Sequence, residues 1–256
     1  MQLDYGFVKK IHEKLFAQLC FLDEVLSDSN LPYSLWAGTL LGSVRERNFI
    51  SWDDDADIIL HRKDYDRAVL LLKSIQVSSS DISFEFLRDT LWLYRLKSKV
   101  VIDGVNFEAT TDFFVLDNAF RNRLIHRIHV LLITVIQTSL KTRVNYKKGS
   151  KISHVIQVLI ITISALVPRD KKLRFYDVIC SLVKKNKGFL FLSNTSRAHL
   201  GKRFKTAGFD LDGKAFLRNK EFPIFKEYDI VLSKLYGHDY MVPPVISERR
   251  PKHNSN

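Results

Sequence analysis

The run Asp53-Asp54-Asp55-Ala56-Asp57-Ile58-Ile59-Leu60 constrains the fold more than any other stretch, because it sets acidic and apolar side chains in alternation. In a β-strand successive side chains point to opposite faces, so Asp55 and Asp57 share one face while Ala56 and Ile58 enter a core. Two carboxylates held side by side repel each other unless a positive charge lies between them. A divalent cation such as Mg²⁺ supplies that charge, is bound by few carboxylates and keeps positions open for phosphate oxygens. Upstream, Leu41-Gly42-Ser43 reads as a glycine turn, where the backbone approaches phosphates without a Cβ in the way and its N–H groups bind oxygen. Downstream, Thr111-Asp112-Phe113-Phe114-Val115 sets one acid within an apolar strand, where an isolated charge is costly unless paired or metal-bound. Asp55, Asp57 and Asp112 are therefore predicted as metal ligands able to hold one or two ions. Asp103 and Glu108 compete for the third place, but Asp103 precedes Gly104 and fits a turn better. Of Asp53 and Asp54, one can join the site while the other caps the loop. An EF-hand calcium loop starting at Asp53 fails, lacking Gly at its sixth position and Glu at its twelfth.

Periodicity places these acids in a framework of helices and strands. Phe7, Val8, Ile11, Leu15, Leu19, Leu22, Val25 and Leu26 recur at helical spacing and predict an amphipathic helix over residues 5–28, ended by Ser27 to Pro32. A short strand is expected over Tyr33 to Ala37, another over Ala56 to Leu60, and a helix over Asp64 to Ile75. Extended runs follow around Trp92 to Leu96 and Asn106 to Leu116, so the first 120 residues alternate between helix and strand. With 46% apolar residues the chain fills a sizeable core, which excludes general disorder. Its two cysteines, Cys20 and Cys180, read as buried thiols of a reducing compartment rather than a disulfide framework. Met1 to Tyr5 show no basic segment leading into an apolar run, and a cytoplasmic placement is expected.

The character changes after residue 120. Between Arg121 and Lys205 there are 19 Lys or Arg against two acids, Asp170 and Asp177, a net +17 in a chain whose total is +12. Such a block calls for an anionic partner: nucleic acid, an acidic membrane surface or a phosphorylated substrate. No aromatic-basic RNA or DNA motif accompanies it, so no nucleic acid is expected. Apolar helices are predicted over Ile128 to Leu140 and Ile152 to Val167, with basic connections such as Lys147-Lys148-Gly149-Ser150-Lys151. The second run, interrupted by His154, Gln157, Thr162 and Ser164, falls short of the roughly 20 apolar residues of a membrane span. Basic flanks around apolar helices also fit peripheral contact with an anionic membrane, at the inner face of the cell membrane. His126 and His129, three apart on a helix, read as a solvated face rather than a metal site. The end after Pro251 reads as polar and loose.

The segment Leu35-Trp36-Ala37-Gly38-Thr39-Leu40-Leu41-Gly42-Ser43-Val44-Arg45, followed by Phe49-Ile50-Ser51-Trp52-Asp53-Asp54-Asp55-Ala56-Asp57, resembles the LicD family of phosphotransferases, related to the fukutin proteins. Phe222-Pro223-Ile224, Tyr228, Leu232, Leu235-Tyr236-Gly237, Asp239-Tyr240-Met241, Pro243-Pro244 and His253 are similar to that family's carboxyl-terminal signature. Two departures stand out: Phe225 where the family commonly has proline, and Phe216-Leu217-Arg218 in place of Phe-Glu-Gly. The resemblance implies an α+β fold, a nucleotidyltransferase-like mixed sheet flanked by helices. Residues 1–120 would form the catalytic core, 121–205 a basic helical insertion, and 206–256 a segment packing back on the core.

It further implies transfer of a phosphorylated alcohol, phosphocholine or a polyol phosphate, from a CDP-linked donor to a hydroxyl of a cell-surface glycan or lipid-linked glycan precursor. Asp55, Asp57 and Asp112 would position Mg²⁺, with Mn²⁺ the other candidate, on the donor diphosphate. Gly38, Thr39, Gly42 and Ser43 would bind substrate phosphates, and Arg95 and Lys97, on the strand before Asp112, would reach the donor. Arg45 would steady charge in the reaction or else pair with a loop carboxylate. Trp52 is expected beneath the acidic loop, and Tyr236, Tyr240 and the proline pair as anchors of the final helix. The alternative enzyme is a nucleotidyltransferase that releases pyrophosphate; the alternative from another class is a nucleic-acid-binding protein.

Overall fold

The computed structural model describes residues 6–75, 82–87, 93–141, 150–185, 188–195, 197–249 and 251. Met1 to Tyr5, Trp92, most of the Lys147 to Lys151 connection, His253 and the tail after Pro251 lie outside them. In chain order the elements are α1 (Gly6–Asp28), β1 (Ser34–Leu35), α2 (Ala37–Arg45), β2 (Asp55–His61), α3 (Arg62–Ser74), β3 (Ile82–Leu87), β4 (Leu93–Ile102) and β5 (Val105–Asn118). Then come α4 (Arg123–Ser139), α5 (Lys151–Ser164), α6 (Arg169–Cys180), β6 (Phe189–Leu192), α7 (Arg197–Leu200) and β7 (Arg203–Lys205). The hairpin β8 (Gly213–Leu217) and β9 (Lys220–Ile224) and helix α8 (Tyr228–Tyr236) complete the set, with 3₁₀ turns at Thr206–Gly208 and Ile246–Glu248. This is the α+β mixed sheet flanked by helices that the family resemblance implies. The chain divides into two compact units, residues 1–85, 94–115 and 206–256, and residues 86–93 and 116–205.

In the first unit the strands run in the order β1-β2-β5-β4-β3. β1 pairs antiparallel with β2, Ser34 opposite Ile59, and β4 with β5, Arg95 opposite Asp112. The β4–β5 turn is made by Asp103 and Gly104, both at positive φ, as a two-residue hairpin requires. Helix α1 buries Val8, Ile11, Leu15, Leu19, Leu22 and Leu26, the stripe its periodicity predicts. It is also tied to the sheet by a buried amide: Gln18 donates to Ser98 Oγ at 2.7 Å and to the Ala109 carbonyl at 3.0 Å, and accepts from Thr111 Oγ1 at 2.7 Å.

The sequence reading errs at Gly42-Ser43. The strand expected over Tyr33 to Ala37 is only Ser34–Leu35, and residues 37–45 form the helix α2, packed on β2, β8 and α8. Gly42 and Ser43 are buried inside that helix. A Cβ on Gly42 would lie 2.5 Å from the Asn48 carbonyl oxygen and 3.1 Å from the Ile50 nitrogen, so the glycine admits the returning loop backbone. Ser43 Oγ donates to the Leu40 carbonyl one turn back, at 2.8 Å.

The second unit has its own core, built from Ala119, Ile133, Ile136, Leu140, Tyr176, Cys180, Phe191 and Leu200. The end of β5 pairs with β6, and β6 with β7. Asn122 caps α4 by accepting from the Leu124 and Ile125 amides, and Ser150 caps α5 by accepting from Ser153. α4 packs against both α5 and α6. His126 and His129 lie on its buried face, only 3% and 2% exposed, which corrects the solvated face expected for them. The outward faces of α4 and α5 are largely apolar. No described helix is by itself long and apolar enough to cross a membrane; α5 and α6 together have the length and composition but are bent by 116° at their junction.

Candidate active site

β2 starts at Asp55, and its buried Ala56, Ile58 and Leu60 share one face, leaving Asp55 and Asp57 on the other. β5 lies next to β2, which brings Asp112 beside Asp55 and Asp57. One carboxylate oxygen from each of the three lies within 4.8 Å of the others. Asp57 and Asp112 are buried and Asp55 is half-buried. Thr39 in α2 accepts a hydrogen bond from the Asp57 amide at 2.8 Å, and the Trp36 amide donates to the Asp57 carbonyl at 2.9 Å, so helix and acidic strand are locked in register.

Arg95 stands opposite Asp112 on β4 and grips it with two hydrogen bonds, Nε to Oδ1 and Nη2 to Oδ2, the latter at 2.6 Å. Burial works against the guanidinium charge, but Asp112, and beyond it Asp55 and Asp57, more than offset this and raise the Arg95 pKa above its ordinary value. Three carboxylates against one guanidinium leave a surplus of two negative charges, the charge of one divalent cation. The carboxylate oxygens also keep lone pairs beyond those used by Arg95. The donor set of hard oxygens thus fits Mg²⁺ or Mn²⁺, with Asp55, Asp57 and Asp112 as ligands.

Beside the acids is a cavity of about 350 Å³, within the roughly 300–1,000 Å³ typical of small-molecule sites. Its walls include Gly38, Arg45, Trp52, Asp53, Asp55, Asp57, Tyr236, Pro244 and Glu248. Gly38 is in the first turn of α2, and a Cβ there would lie 2.2 Å from Asp53 Oδ2. Asp53 and Asp54 divide as the sequence allows: Asp53 lines the cavity, and Asp54 is fully buried. The loop carrying them is held by His12, whose Nε2 donates to the Asp53 carbonyl at 2.7 Å while its ring stacks on Phe49. Burial lowers the His12 pKa, partly countered by that hydrogen bond. The turn of the β8–β9 hairpin clasps the same loop, with the Arg218 amide donating to the Arg47 carbonyl at 2.7 Å and the guanidinium to Asn48 Oδ1 at 3.3 Å.

Arg45 ends α2 on the cavity wall, paired with Glu46 at 2.7 Å, bonded to the Tyr240 carbonyl at 3.4 Å, and 5.9 Å from the centre of the Trp52 ring. Arg249 lies over the same ring at 4.9 Å. Of the other residues named from sequence, Thr39 positions Asp57, Arg95 positions Asp112, and Gly42 and Ser43 are helix interior. Lys97 is paired with Glu108 at 2.8 Å and Glu85 at 3.0 Å and is not among the residues lining the cavity.

Tyr236 and Pro244, expected as anchors of the final helix, are among the residues lining the cavity. Tyr236 is 45% exposed, and partial burial of its phenol, then Asp57, Asp53 and Asp55, push its pKa up. Tyr240 does anchor, its hydroxyl donating to Asp229 at 2.6 Å.

Three acids thus converge from neighbouring strands, with a short helix locked to the first of those strands. Residues 30–123 match the family described as LicD/FKTN/FKRP, nucleotidyltransferase domain. A 39-residue stretch is 51% identical to the lipopolysaccharide cholinephosphotransferase LicD of Haemophilus influenzae, covering 15% of this chain and 15% of that relative.

Proposed function

We propose that the chain transfers a phosphorylated alcohol from a CDP-linked donor to a hydroxyl of a cell-surface glycan or its lipid-linked precursor. The observation that carries this reading is the surplus of two negative charges where Asp55, Asp57 and Asp112 meet, at the wall of a cavity of about 350 Å³. The family match and the name of the relative favour this chemistry, and phosphocholine as the group moved.

A bound Mg²⁺ or Mn²⁺ would neutralise charge on the donor diphosphate. Asp55, Asp57 and Asp112 would hold it, with the two hydrogen bonds from Arg95 aiming Asp112. Arg45 and the Tyr236 hydroxyl would hydrogen-bond the donor's phosphate oxygens, strengthening as charge moves toward the leaving group. Asp53 would take the proton of the attacking hydroxyl. The acceptor oxygen forms a bond to the phosphorus bearing the alcohol, the bond linking that phosphorus to the bridging oxygen breaks, and CMP leaves.

The test is a donor screen with CDP-choline, CDP-glycerol and CDP-ribitol, scoring CMP and pyrophosphate with and without chelator. CMP release that stops on chelation is the expected outcome. Pyrophosphate release from a nucleoside triphosphate, with no CMP from any donor, would instead mark a nucleotidyltransferase.

A further inference from the structure

Helix α5 carries apolar residues at Ile152, Val155, Leu159 and Ile163, a spacing that puts them on one face. Soluble domains turn such a stripe to the core. Here Ile152 and Ile163 are 73% and 72% exposed, and the buried residue of the helix is the polar Gln157. Its neighbour α4 repeats the pattern: beyond the face buried on the unit's core, Leu124, Ile128, Leu131 and Val135 form a second apolar stripe, open to solvent. On α6, Phe175 and Val178 are exposed as well, among the charged Asp170, Lys171, Arg174 and Asp177. Apolar exposure of this extent on helices that pack against one another marks an interaction surface.

Charge selects the partner. Exposed cations border the apolar stripes: Arg123 and Arg127 on α4, Lys151 at the start of α5, and Lys171 and Arg174 one turn before Phe175 and Val178 on α6. Across residues 121–205 only two acids oppose 19 Lys or Arg. An apolar face rimmed by Lys and Arg is complementary to the boundary between anionic headgroups and acyl chains. We infer that the α4–α6 face docks on an anionic lipid bilayer, lying in the interface without spanning it.

The test is sedimentation of the full chain with vesicles of phosphatidylcholine alone or with about one-third phosphatidylglycerol, in chelator and without donor, so that it is independent of the proposed reaction. Binding is expected at least about tenfold tighter to the anionic vesicles and to weaken steeply with salt. Leu159→Ser with Ile163→Ser should weaken it about tenfold or more with an unchanged circular dichroism spectrum. Lys171→Gln with Arg174→Gln, which leaves the apolar face intact, should weaken it and flatten the salt dependence. Equal binding to both vesicles, or binding untouched by either pair, overturns the inference. So does sedimentation velocity showing that the serine pair abolishes self-association, which would make this face a contact between copies of the chain.

Discussion

Replacing Asp57 by Asn should stabilise the metal-free protein while removing its response to metal. At the 4.8 Å that bounds the separations, two unit charges interact by about 3 kcal/mol at an effective dielectric of roughly 20. Asp57 feels repulsion from Asp55 and Asp112 and attraction from Arg95, so one pair's repulsion is left. Solvent screening at the half-buried Asp55 reduces that to about 1–2 kcal/mol. Asn keeps the shape and removes the charge. In chelator the variant should melt about 2–8 °C above the wild type, since about 1 kcal/mol moves the midpoint by roughly 2–4 °C at this size. Saturating Mg²⁺ should raise the wild-type midpoint by mass action and leave the variant's almost unmoved. Differential scanning fluorimetry with and without metal reads both effects. A variant that melts lower in chelator, or that gains from Mg²⁺ as much as the wild type, refutes the charge surplus as the basis of the site.

Gly42→Ala gains helix propensity but drives a Cβ against loop backbone that cannot swing away, so thermal denaturation should show a loss of about 1–3 kcal/mol; a more stable variant would contradict the close approach. Tyr236→Phe removes a donor to charged oxygen and should lower kcat/KM for the donor about ten- to hundredfold with an unchanged melting temperature; unchanged kinetics would exclude the hydroxyl from the reaction. His126 titrates at about 4 in the folded state, lowered by burial and then by Arg203 and His129, against 6.5 when unfolded. The unfolded chain binds more protons between those values, so stability should be full above pH 6.5 and fall toward pH 4 by up to about 3 kcal/mol. His126→Gln should flatten that slope in urea titrations, and an unaltered profile would assign it to other groups.

The acidic strand was legible because alternation of Asp with Ala and Ile has one reading in a half-buried strand, and α1 because its apolar spacing has one reading in a helix. Asp112 stood out as a charge inside an apolar run. Gly42 misled because Gly-Ser is a turn signal by local chemistry, whereas here the glycine answers a contact with residues 48–50, which only the folded loop reveals. His126 and His129 misled for another reason: α4 is apolar around most of its circumference, and periodicity then cannot say which face is buried. Tyr236, Pro244 and Glu248 reach the cavity from some 180 residues beyond the acids, carrying no local mark of it.

The clasp that Arg218 makes on the loop at Arg47 and Asn48 bears on how far the recognisable part of this chain is a module. The stretch matching the family ends at residue 123, yet its acidic loop is pinned from one side by His12 and from the other by the β8–β9 hairpin. Residues 30–123 cut out alone would lose both pins, and with them the hydrophobic cover that α1 lays on the sheet. Exchange between relatives would therefore have to move the ends of the chain along with the middle. A chimera that swaps only the matched stretch tests the loop's supports before it tests its chemistry.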